Sequence, residues 1–302
     1  MTASDIVLGA NQYGKGEVRL VRITRDTAVH EIEDLNVTTQ LLGDFTDCHI
    51  TGDNAKVVAT DTQKNTVYAF AREHGVGTPE DFLLKLSEHF TTGFEWVTGS
   101  VLSAESYAWD RIPVDGVGHD HAFARTGSEV RRTTVITDTA ADETVVVSGF
   151  TDATVLKSTG SEFHGFPRDR YTTLGETTDR ILATSVTAWW RYTGTDVDFD
   201  KTYDAVRTLL LETFATQHSL SLQQTIFEMG RAVLEAFDDI AEVRLSCPNK
   251  HHFLVDLEPF GLDNPGEVFF AADRPYGLIQ ATVERSGAVQ RPEVWAAVAG
   301  FC

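Results

Sequence analysis

The amino-acid sequence predicts an α+β protein whose antiparallel sheets carry helices on one face. Two observations predict this class. Segments with the alternating apolar pattern of strands lie next to pairs of segments with helical periodicity. The order of two strands, two helices and two strands then occurs twice along the 302 residues. The sequence thus predicts two units, residues 1–127 and residues 128–302, although no residue-level repeat accompanies the repeated order.

Six elements are predicted in the first unit. The clearest is a helix that begins at Thr78-Pro79-Glu80-Asp81, where a capping residue, a proline and two acids stand in the favoured order, and that ends at Gly93. The helix before it is predicted to be capped by Thr60 or Asp61. The strands are predicted over Glu17–Ile23, His30–Leu42, Val97–Trp109 and His121–Val130, with a turn-rich connection at Pro113–Asp120.

The second unit repeats this order around one long irregular segment, Ser158–Thr178. Two helices are predicted, over Phe199–His218 and Leu222–Phe237, because apolar residues recur on one face of each. The strands are predicted over Arg132–Thr137, Thr144–Phe150, Ile181–Tyr192, Val243–Leu257 and Val268–Val283. Sheets of this kind leave open edge strands, and such edges favour pairing between subunits. The sequence therefore predicts an oligomer.

Charge and composition exclude several classes of protein. The formal net charge is −20, and a negative field of this size repels phosphate backbones, so we expect no nucleic-acid partner. No apolar run reaches the roughly 18–20 residues of a membrane span, and Met1–Asp5 lacks the features of a signal peptide. Three scattered cysteines indicate free thiols in a reducing compartment. We therefore expect a soluble cytoplasmic protein with no membrane partner.

A search for motifs of metal or cofactor binding gives one weak candidate. His119-Asp120-His121 has metal-like residues, but no third ligand lies near it in sequence, so a solvated turn is the favoured interpretation. No dinucleotide-binding glycine motif, phosphate-binding loop or nucleophile elbow is present in the sequence. We expect neither a metal nor a cofactor.

Several segments are more polar than a packed strand or helix requires. They are Tyr13-Gly14-Lys15, Val58-Ala59-Thr60-Asp61, residues 156–163, Thr177-Thr178-Asp179-Arg180 and residues 248–253. In this order and spacing they make the chain similar to urate oxidases (uricases) over almost its whole length. The resemblance implies the tunnelling fold, with two such units per chain and a homotetramer that encloses a tunnel. It also implies active sites at subunit interfaces.

The resemblance implies a reaction and a set of substrate-binding residues. The reaction is the cofactor-independent oxidation of urate by dioxygen and water to 5-hydroxyisourate and hydrogen peroxide. Arg180 matches the arginine that forms paired hydrogen bonds to one edge of the purine, and Gln223 matches the glutamine that binds the opposite edge. Leu222 supplies a backbone N–H beside it. Phe163 matches the aromatic ring that stacks on the purine, and Leu174 lines the same pocket.

The remaining predicted site residues concern proton transfer and dioxygen. Thr60 and Asp61 match a pair that the neighbouring subunit donates through its backbone N–H groups. Lys15, Thr60 and His251 correspond to the proton relay. Asn249 matches the residue that faces dioxygen and then the attacking water.

Each of these residues also has an ordinary structural interpretation. Without the resemblance, Arg180 reads as a surface cation paired with Asp179 or Glu176, and Lys15 as a solvated turn lysine. Phe163 alone would be assigned to the core. Two other functions also remain open. One is a tunnelling-fold enzyme acting on a pterin or another purine-like ring, and the other is a purine-binding oligomer without catalytic activity.

Overall fold

The structure is a computed structural model that describes residues 6–298. In chain order the elements are β1 (Tyr13–Thr24), β2 (Glu31–Gly43), α1 (Thr46–Ile50), α2 (Thr60–Glu73), α3 (Pro79–Gly93), β3 (Val97–Ser106), β4 (Trp109–Val114), β5 (Val117–Arg125), β6 (Val130–Asp138), β7 (Glu143–Lys157), β8 (Leu182–Tyr192), α4 (Phe199–Thr216), α5 (Leu222–Ala236), β9 (Ile240–Leu254), β10 (Phe269–Glu284) and α6 (Pro292–Ala296). A 3₁₀ turn covers Glu258–Phe260. None of the described helices is long and apolar enough to cross a bilayer.

The described chain divides into two compact units. The first contains the residues up to Ser148, together with Gly194–Phe199 and the segment that begins at Arg291. The second contains Gly149–Thr193 and Asp200–Gln290. Strand β7 thus contributes its beginning to the first unit and its end to the second. The predicted boundary between residues 127 and 128 concerns the repeated order of elements, and it stays a prediction.

The first unit is an antiparallel sheet with helices packed on it. Its strands follow the order β1-β2-β3-β6, continued by the first part of β7. Helix α2 packs against β1, and α3 packs against β3 and β6. The stripe of α3 predicted from the sequence is fully buried, namely Phe82, Leu83, Leu86 and Phe90. The hydroxyl of Thr78 accepts a hydrogen bond from the Asp81 N–H at 3.0 Å, as a capping residue does.

The second unit has the same construction. The last part of β7 is followed by β8, β9 and β10, and β9 pairs antiparallel with both β8 and β10. Helix α5 packs against β9 and β10. The contact is so close that a Cβ atom at Gly230 of α5 would lie 2.6 Å from a methyl group of Val283 in β10. Only glycine fits this approach. The α+β class with antiparallel sheets and packed helices, predicted from the sequence, is thus confirmed.

Three predictions about the first unit are wrong in detail. The segment Pro113–Asp120 is mostly strand, because β4 and β5 form a hairpin whose turn is only Asp115-Gly116. Both turn residues have positive φ, 51° and 82°, as a tight two-residue hairpin turn requires. The strand predicted over Val97–Trp109 ends at Ser106, and Trp109 is the first residue of the hairpin. The strand predicted over His121–Val130 is present as far as Arg125, where it forms the second part of β5.

The second error concerns the start of α2, where Ala59 rather than Thr60 or Asp61 occupies the capping position. The third concerns α1, a five-residue helix that has no apolar periodicity and was not predicted. The other predicted helices and strands of both units are present with ends that differ by a few residues, except that β7 continues from the predicted end at Phe150 to Lys157.

Candidate functional site

The second unit contains a cavity of about 470 Å³, within the range typical of small-molecule sites. It lies among the irregular segment before β8, the end of β9 and the residues just before β10. Five residues predicted from the sequence line it: Phe163, Leu174, Arg180, Asn249 and His251. Its other lining residues are Ser158, Gly175, Thr177, Asp179, Ile181, His252, Phe253, Leu254, Pro265, Gly266 and Phe269.

The irregular segment folds back on itself and thereby brings Phe163 and Arg180 together. The backbones of Phe163 and Thr177 exchange two hydrogen bonds, of 2.8 and 3.0 Å. The Arg180 N–H donates to the Ser161 carbonyl at 2.8 Å. As a result, the Arg180 guanidinium carbon lies 5.1 Å from the centre of the Phe163 ring. This distance suits a cation over an aromatic face.

Arg180 is a half-buried cation whose acidic neighbours bind other groups. The Asp179 carboxylate accepts hydrogen bonds from the Thr159 hydroxyl at 2.9 Å and the Gly160 N–H at 3.2 Å. The Glu176 carboxylate accepts from the Gly165 N–H at 3.1 Å. The Arg180 Nε atom is buried and has no hydrogen-bond partner within residues 6–298. Burial lowers the pKa of the guanidinium, and an arginine nonetheless stays charged in proteins. Such a group is suited to a planar anion.

Asn249 and His251 alternate along β9 and so project from the same face of the strand. The His251 ring stacks on Phe253, with centroids 5.7 Å apart. Burial lowers the pKa of His251 most, and the positive charges of Arg180 and His252 lower it further. The imidazole is therefore neutral at neutral pH and can accept a proton.

Lys15 lies in the first unit, on β1 next to a bulge in its pairing with β2. Its N–H donates to the Thr39 hydroxyl at 3.2 Å. The backbones are so close here that a Cβ atom at Gly14 would lie 1.6 Å from the Thr39 carbonyl oxygen. Thr39 is fully buried, and its hydroxyl in turn donates to the Gln63 side chain of α2 at 2.7 Å. The strand that carries Lys15 is thus tied to the helix that begins with Thr60.

Thr60 and Asp61 are the first two residues of α2. The first helical hydrogen bond runs from the Gln63 N–H to the Ala59 carbonyl, at 3.0 Å. Because the N–H groups before Gln63 have no acceptor within the helix and Ala59 has no polar side chain, these donors remain available at the helix start. The Asp61 carboxylate points to its own helix, where hydrogen bonding and charge from Lys64 lower its pKa.

Leu222 and Gln223 are the first two residues of α5, and neither lines the cavity. The Leu222 side chain is buried, whereas the Gln223 side chain is exposed. Here the capping position holds Ser221, whose hydroxyl accepts from the Gln224 N–H at 3.1 Å. The structure therefore brings together five of the predicted residues and places the other five elsewhere. Their roles stay predictions.

Some residues that line the cavity were not predicted from the sequence, although the sequence around two of them pointed to the site. Phe253 continues the alternation of Asn249 and His251, and Ile181 directly follows Arg180. The segment Pro265-Gly266 and Phe269 lie far from the other residues in sequence and carry no comparable signal.

The histidines considered for a metal lie on the hairpin of the first unit. His119 and His121 have ring centroids 4.5 Å apart, and His30 lies 5.7 Å from His121. His119 Nδ1 accepts a hydrogen bond from the His121 N–H. Between residues 6 and 298, no group of three or more metal-ligating side chains is arranged to hold an ion.

Comparison with known proteins gives one consistent result. A sequence model of the uricase family matches residues 11–136 and 146–280. The chain is 62% identical over 301 residues to uricase of Arthrobacter globiformis, covering 100% of this chain and 97% of that one. It is 38% identical over 279 residues to uricase of Dictyostelium discoideum, covering 91% and 96% of the two chains.

Two solved structures extend this result to the fold. The crystal structure of the Arthrobacter globiformis uricase matches with a TM-score of 0.92, covering 97% of this chain and 100% of that one. A uricase from Bacillus fastidious, 29% identical, matches with a TM-score of 0.78 and covers 92% and 94% of the two chains.

Proposed function

The chain belongs to the uricase family, and we propose that the cavity of its second unit binds urate while Lys15, Thr60 and His251 move the protons of the reaction. The fold is the tunnelling fold of that family, and the chain is an oxidoreductase that oxidises urate in purine degradation. The reaction converts urate, dioxygen and water into 5-hydroxyisourate and hydrogen peroxide.

The observation that carries the binding proposal is the half-buried Arg180 side chain beside Phe163, whose buried Nε atom has no hydrogen-bond partner among the described residues. Urate is planar and anionic at neutral pH, so one edge of it suits a guanidinium that has N–H groups to donate. The Phe163 ring supports the purine by stacking, which contributes about 1–3 kcal/mol per base-like ring. Leu174 covers an apolar part of the cavity. Gln223 and the Leu222 N–H are proposed to bind the opposite edge.

Proton transfer is the second part of the proposal. Removal of another proton from bound urate leaves an electron-rich dianion. We assign this step to Lys15 and Thr60, with neutral His251 as the proton acceptor. The unoccupied N–H groups of Thr60 and Asp61 at the start of α2 stabilise the negative charge that develops.

The electron-transfer step then takes place directly between urate and dioxygen. The dianion gives two electrons to dioxygen, which takes up two protons and leaves as hydrogen peroxide. Water adds to the oxidised ring at carbon 5 and gives 5-hydroxyisourate. Asn249, next to His251 on β9, is proposed to hold first dioxygen and then this water through its amide. In this mechanism no cofactor takes part.

We also propose that the protein acts as a homotetramer in which a neighbouring subunit supplies Lys15, Thr60 and Asp61. Two observations support an assembly. The outer strands β1 and β10 each have one side without a strand partner in the described chain. Large apolar side chains of β10 are exposed, among them Phe270, Tyr276 and Leu278. Cys48 and Cys247 are free thiols, which supports the proposed cytoplasmic location, and Cys302 lies outside the described residues.

One experiment tests the reaction as a whole. Protein treated with a chelator is mixed with urate in air-saturated buffer, and urate absorbance, oxygen uptake and peroxide release are followed together. We expect equal consumption of urate and oxygen with a matching amount of peroxide. Tight urate binding without oxygen uptake would instead indicate a purine-binding oligomer, and the absence of any binding would indicate a pterin-like substrate.

A further inference from the structure

One cluster beside the cavity has no role in the mechanism above. The Glu162 carboxylate lies between two imidazoles. One of its oxygens is 3.0 Å from His164 Nε2, and the other is 3.1 Å from His218 Nε2. The Glu162 side chain is only 15% exposed, whereas both histidine side chains are at least half exposed. The carboxylate is thus largely covered, and the imidazoles reach solvent.

The cluster joins two segments that are far apart in sequence. Glu162 precedes Phe163, and its N–H donates to the Ser219 carbonyl at 2.8 Å. The Ser219 N–H donates back to the Gly160 carbonyl at 2.9 Å. The pair formed by Glu162 and His218 therefore reinforces a short backbone bridge between the loop that holds the stacking ring and the segment that enters α5.

The second of these segments is rigidly connected to the start of α5. Ser219 is fully buried, and its hydroxyl lies 2.6 Å from the hydroxyl of Thr225. The same Ser219 hydroxyl donates to the Ser221 carbonyl at 3.1 Å, and the Ser221 side chain caps α5. Gln223 lies within this first turn of the helix. A displacement of His218 relative to Glu162 would consequently change the distance between Phe163 and Gln223.

We propose that Glu162 is a positioning residue of the urate site, which holds the Phe163 loop against the start of α5 through His164 and His218. This inference rests on the proposed roles of Phe163 and Gln223. Glu162 itself does not contact the substrate. By fixing the stacking ring relative to the amide at the opposite edge of the purine, it acts on substrate affinity and leaves the chemical steps largely unchanged.

The other charged groups of these segments have partners of their own. Asp179 accepts from Thr159 and Gly160, and Glu176 accepts from Gly165. Lys157 donates to the Gln217 carbonyl, and Arg180 lies over Phe163. Hydrogen bonding from His218 and then from His164 lowers the pKa of the Glu162 carboxyl. The two short contacts, at 3.0 and 3.1 Å, therefore hold the Glu162 carboxylate from both sides.

The test compares Glu162→Ala and Glu162→Gln with Glu228→Gln. Glu228 is a matched control, because its side chain is 19% exposed and forms an ion pair with Arg231 on the outer face of α5. The dissociation constant of urate is measured without oxygen, and KM and kcat are measured in air. We expect Glu162→Ala to raise the dissociation constant and KM about tenfold, with kcat changed less than about threefold. The control should match the unaltered protein.

Two further measurements separate positioning from a general loss of stability. Glu162→Gln keeps one side-chain oxygen as an acceptor, so its KM should lie between those of the unaltered protein and Glu162→Ala, with kcat nearly the same in all three. A double variant, Glu162→Gln with His218→Gln, should bind urate about as well as either single variant, because the pair acts as one unit.

Several results would overturn the inference. They are an unchanged urate affinity in Glu162→Ala, strictly additive losses in the double variant, and a lowered melting temperature without any change in KM. A failure of the proposed function itself would look different, because the unaltered protein would then not consume urate and oxygen.

Discussion

The two units contribute to the proposed site by different physical means. The second unit offers a formed cavity whose binding groups are side chains, with the half-buried Arg180 guanidinium beside the Phe163 ring. The first unit offers a lysine on a strand and the backbone N–H groups at the start of α2. We infer from this difference that anion binding at Arg180 and proton removal at Lys15 and Thr60 can be altered separately. Changes at Arg180 and Phe163 should act mainly on KM, and changes at Lys15 and Thr60 mainly on kcat.

The starts of α2 and α5 show the same difference at the level of single residues. Ser221 caps α5, but at α2 the equivalent position holds Ala59, which provides no side-chain acceptor. A capping side chain stabilises a helix by about 0.5–2 kcal/mol, so α2 lacks this contribution. The buried Gln63 compensates in part, because its amide donates to the Val58 carbonyl and accepts from Thr39. The helix start is thereby held in place while its N–H donors stay free.

The largest effect is expected from Arg180→Gln. This variant keeps a hydrogen-bonding group but removes the half-buried charge that we assign to the anionic edge of urate. We expect kcat/KM to fall on the order of 1000-fold, mostly through KM, because a buried hydrogen-bonded charge pair loses one partner. Steady-state kinetics and oxygen-free urate titration measure this loss.

Arg170→Gln is the matched control for that variant. Arg170 lies in the same irregular segment, is exposed, and contacts the Tyr171 ring and hydroxyl outside the cavity. If both substitutions had the same small effect, the second unit would not bind urate through Arg180.

The second-largest effect is expected in the first unit, where two substitutions test the proposed proton relay. Lys15→Met and Thr60→Ala should each lower kcat about 100-fold with little change in the dissociation constant of urate. Because the two side chains are proposed to pass one proton, the double variant should be hardly slower than either single variant. Multiplicative losses in single-turnover measurements would show that Lys15 and Thr60 act separately.

The third-largest effect is expected from substitutions that give α2 a capping side chain like that of α5. Ala59→Ser should cap the Thr62 N–H and stabilise the protein by about 1 kcal/mol, which raises Tm by about 2–4 °C. Ala59→Asp should also cap the helix, but its carboxylate would repel anionic urate and raise KM about tenfold. The reverse change, Ser221→Ala, should lower Tm by a similar amount. Calorimetry measures Tm, and steady-state kinetics measures KM. An unchanged KM in Ala59→Asp would contradict the proposed difference between the two helix starts.

The sequence predicted the elements that local chemistry determines. The cap and proline at Thr78-Pro79 locate α3 to the residue, and the apolar periodicity of α4 is confirmed by the burial of its predicted face. The hairpin of β4 and β5 was missed because Pro113 and Gly118 suggested a loop. The Asp115-Gly116 pair between two valines is nevertheless a recognisable hairpin signal.

The geometry of the cavity could not be predicted in the same way. Phe163 and Arg180 meet because the irregular segment closes through backbone hydrogen bonds between Phe163 and Thr177. Backbone bonds of this kind leave no periodic pattern in the sequence. The same holds for Glu162 and His218, which are 56 residues apart. Resemblance to a family identified candidate residues, but only the fold shows which of them share a cavity.

The smallest effect is expected from His252→Phe, and it tests the electrostatics of the second unit. The proposed relay needs neutral His251, so activity should fall as pH decreases through the pKa of this imidazole. Burial, the charge of Arg180 and the charge of His252 all lower that pKa, which extends activity towards acid. Removal of the His252 charge should raise the pKa of His251 and shift the acid limb of kcat to higher pH.

A phenyl ring could also bury His251 more deeply, which would lower its pKa and oppose this shift. His252→Gln therefore serves as the second variant, because it removes the charge and keeps a polar group. A shift to higher pH in both variants would identify the charge of His252 as the cause. An acid limb that stays in place in His252→Gln would mean that a group other than His251 controls it, and the second unit would then contribute binding without proton transfer.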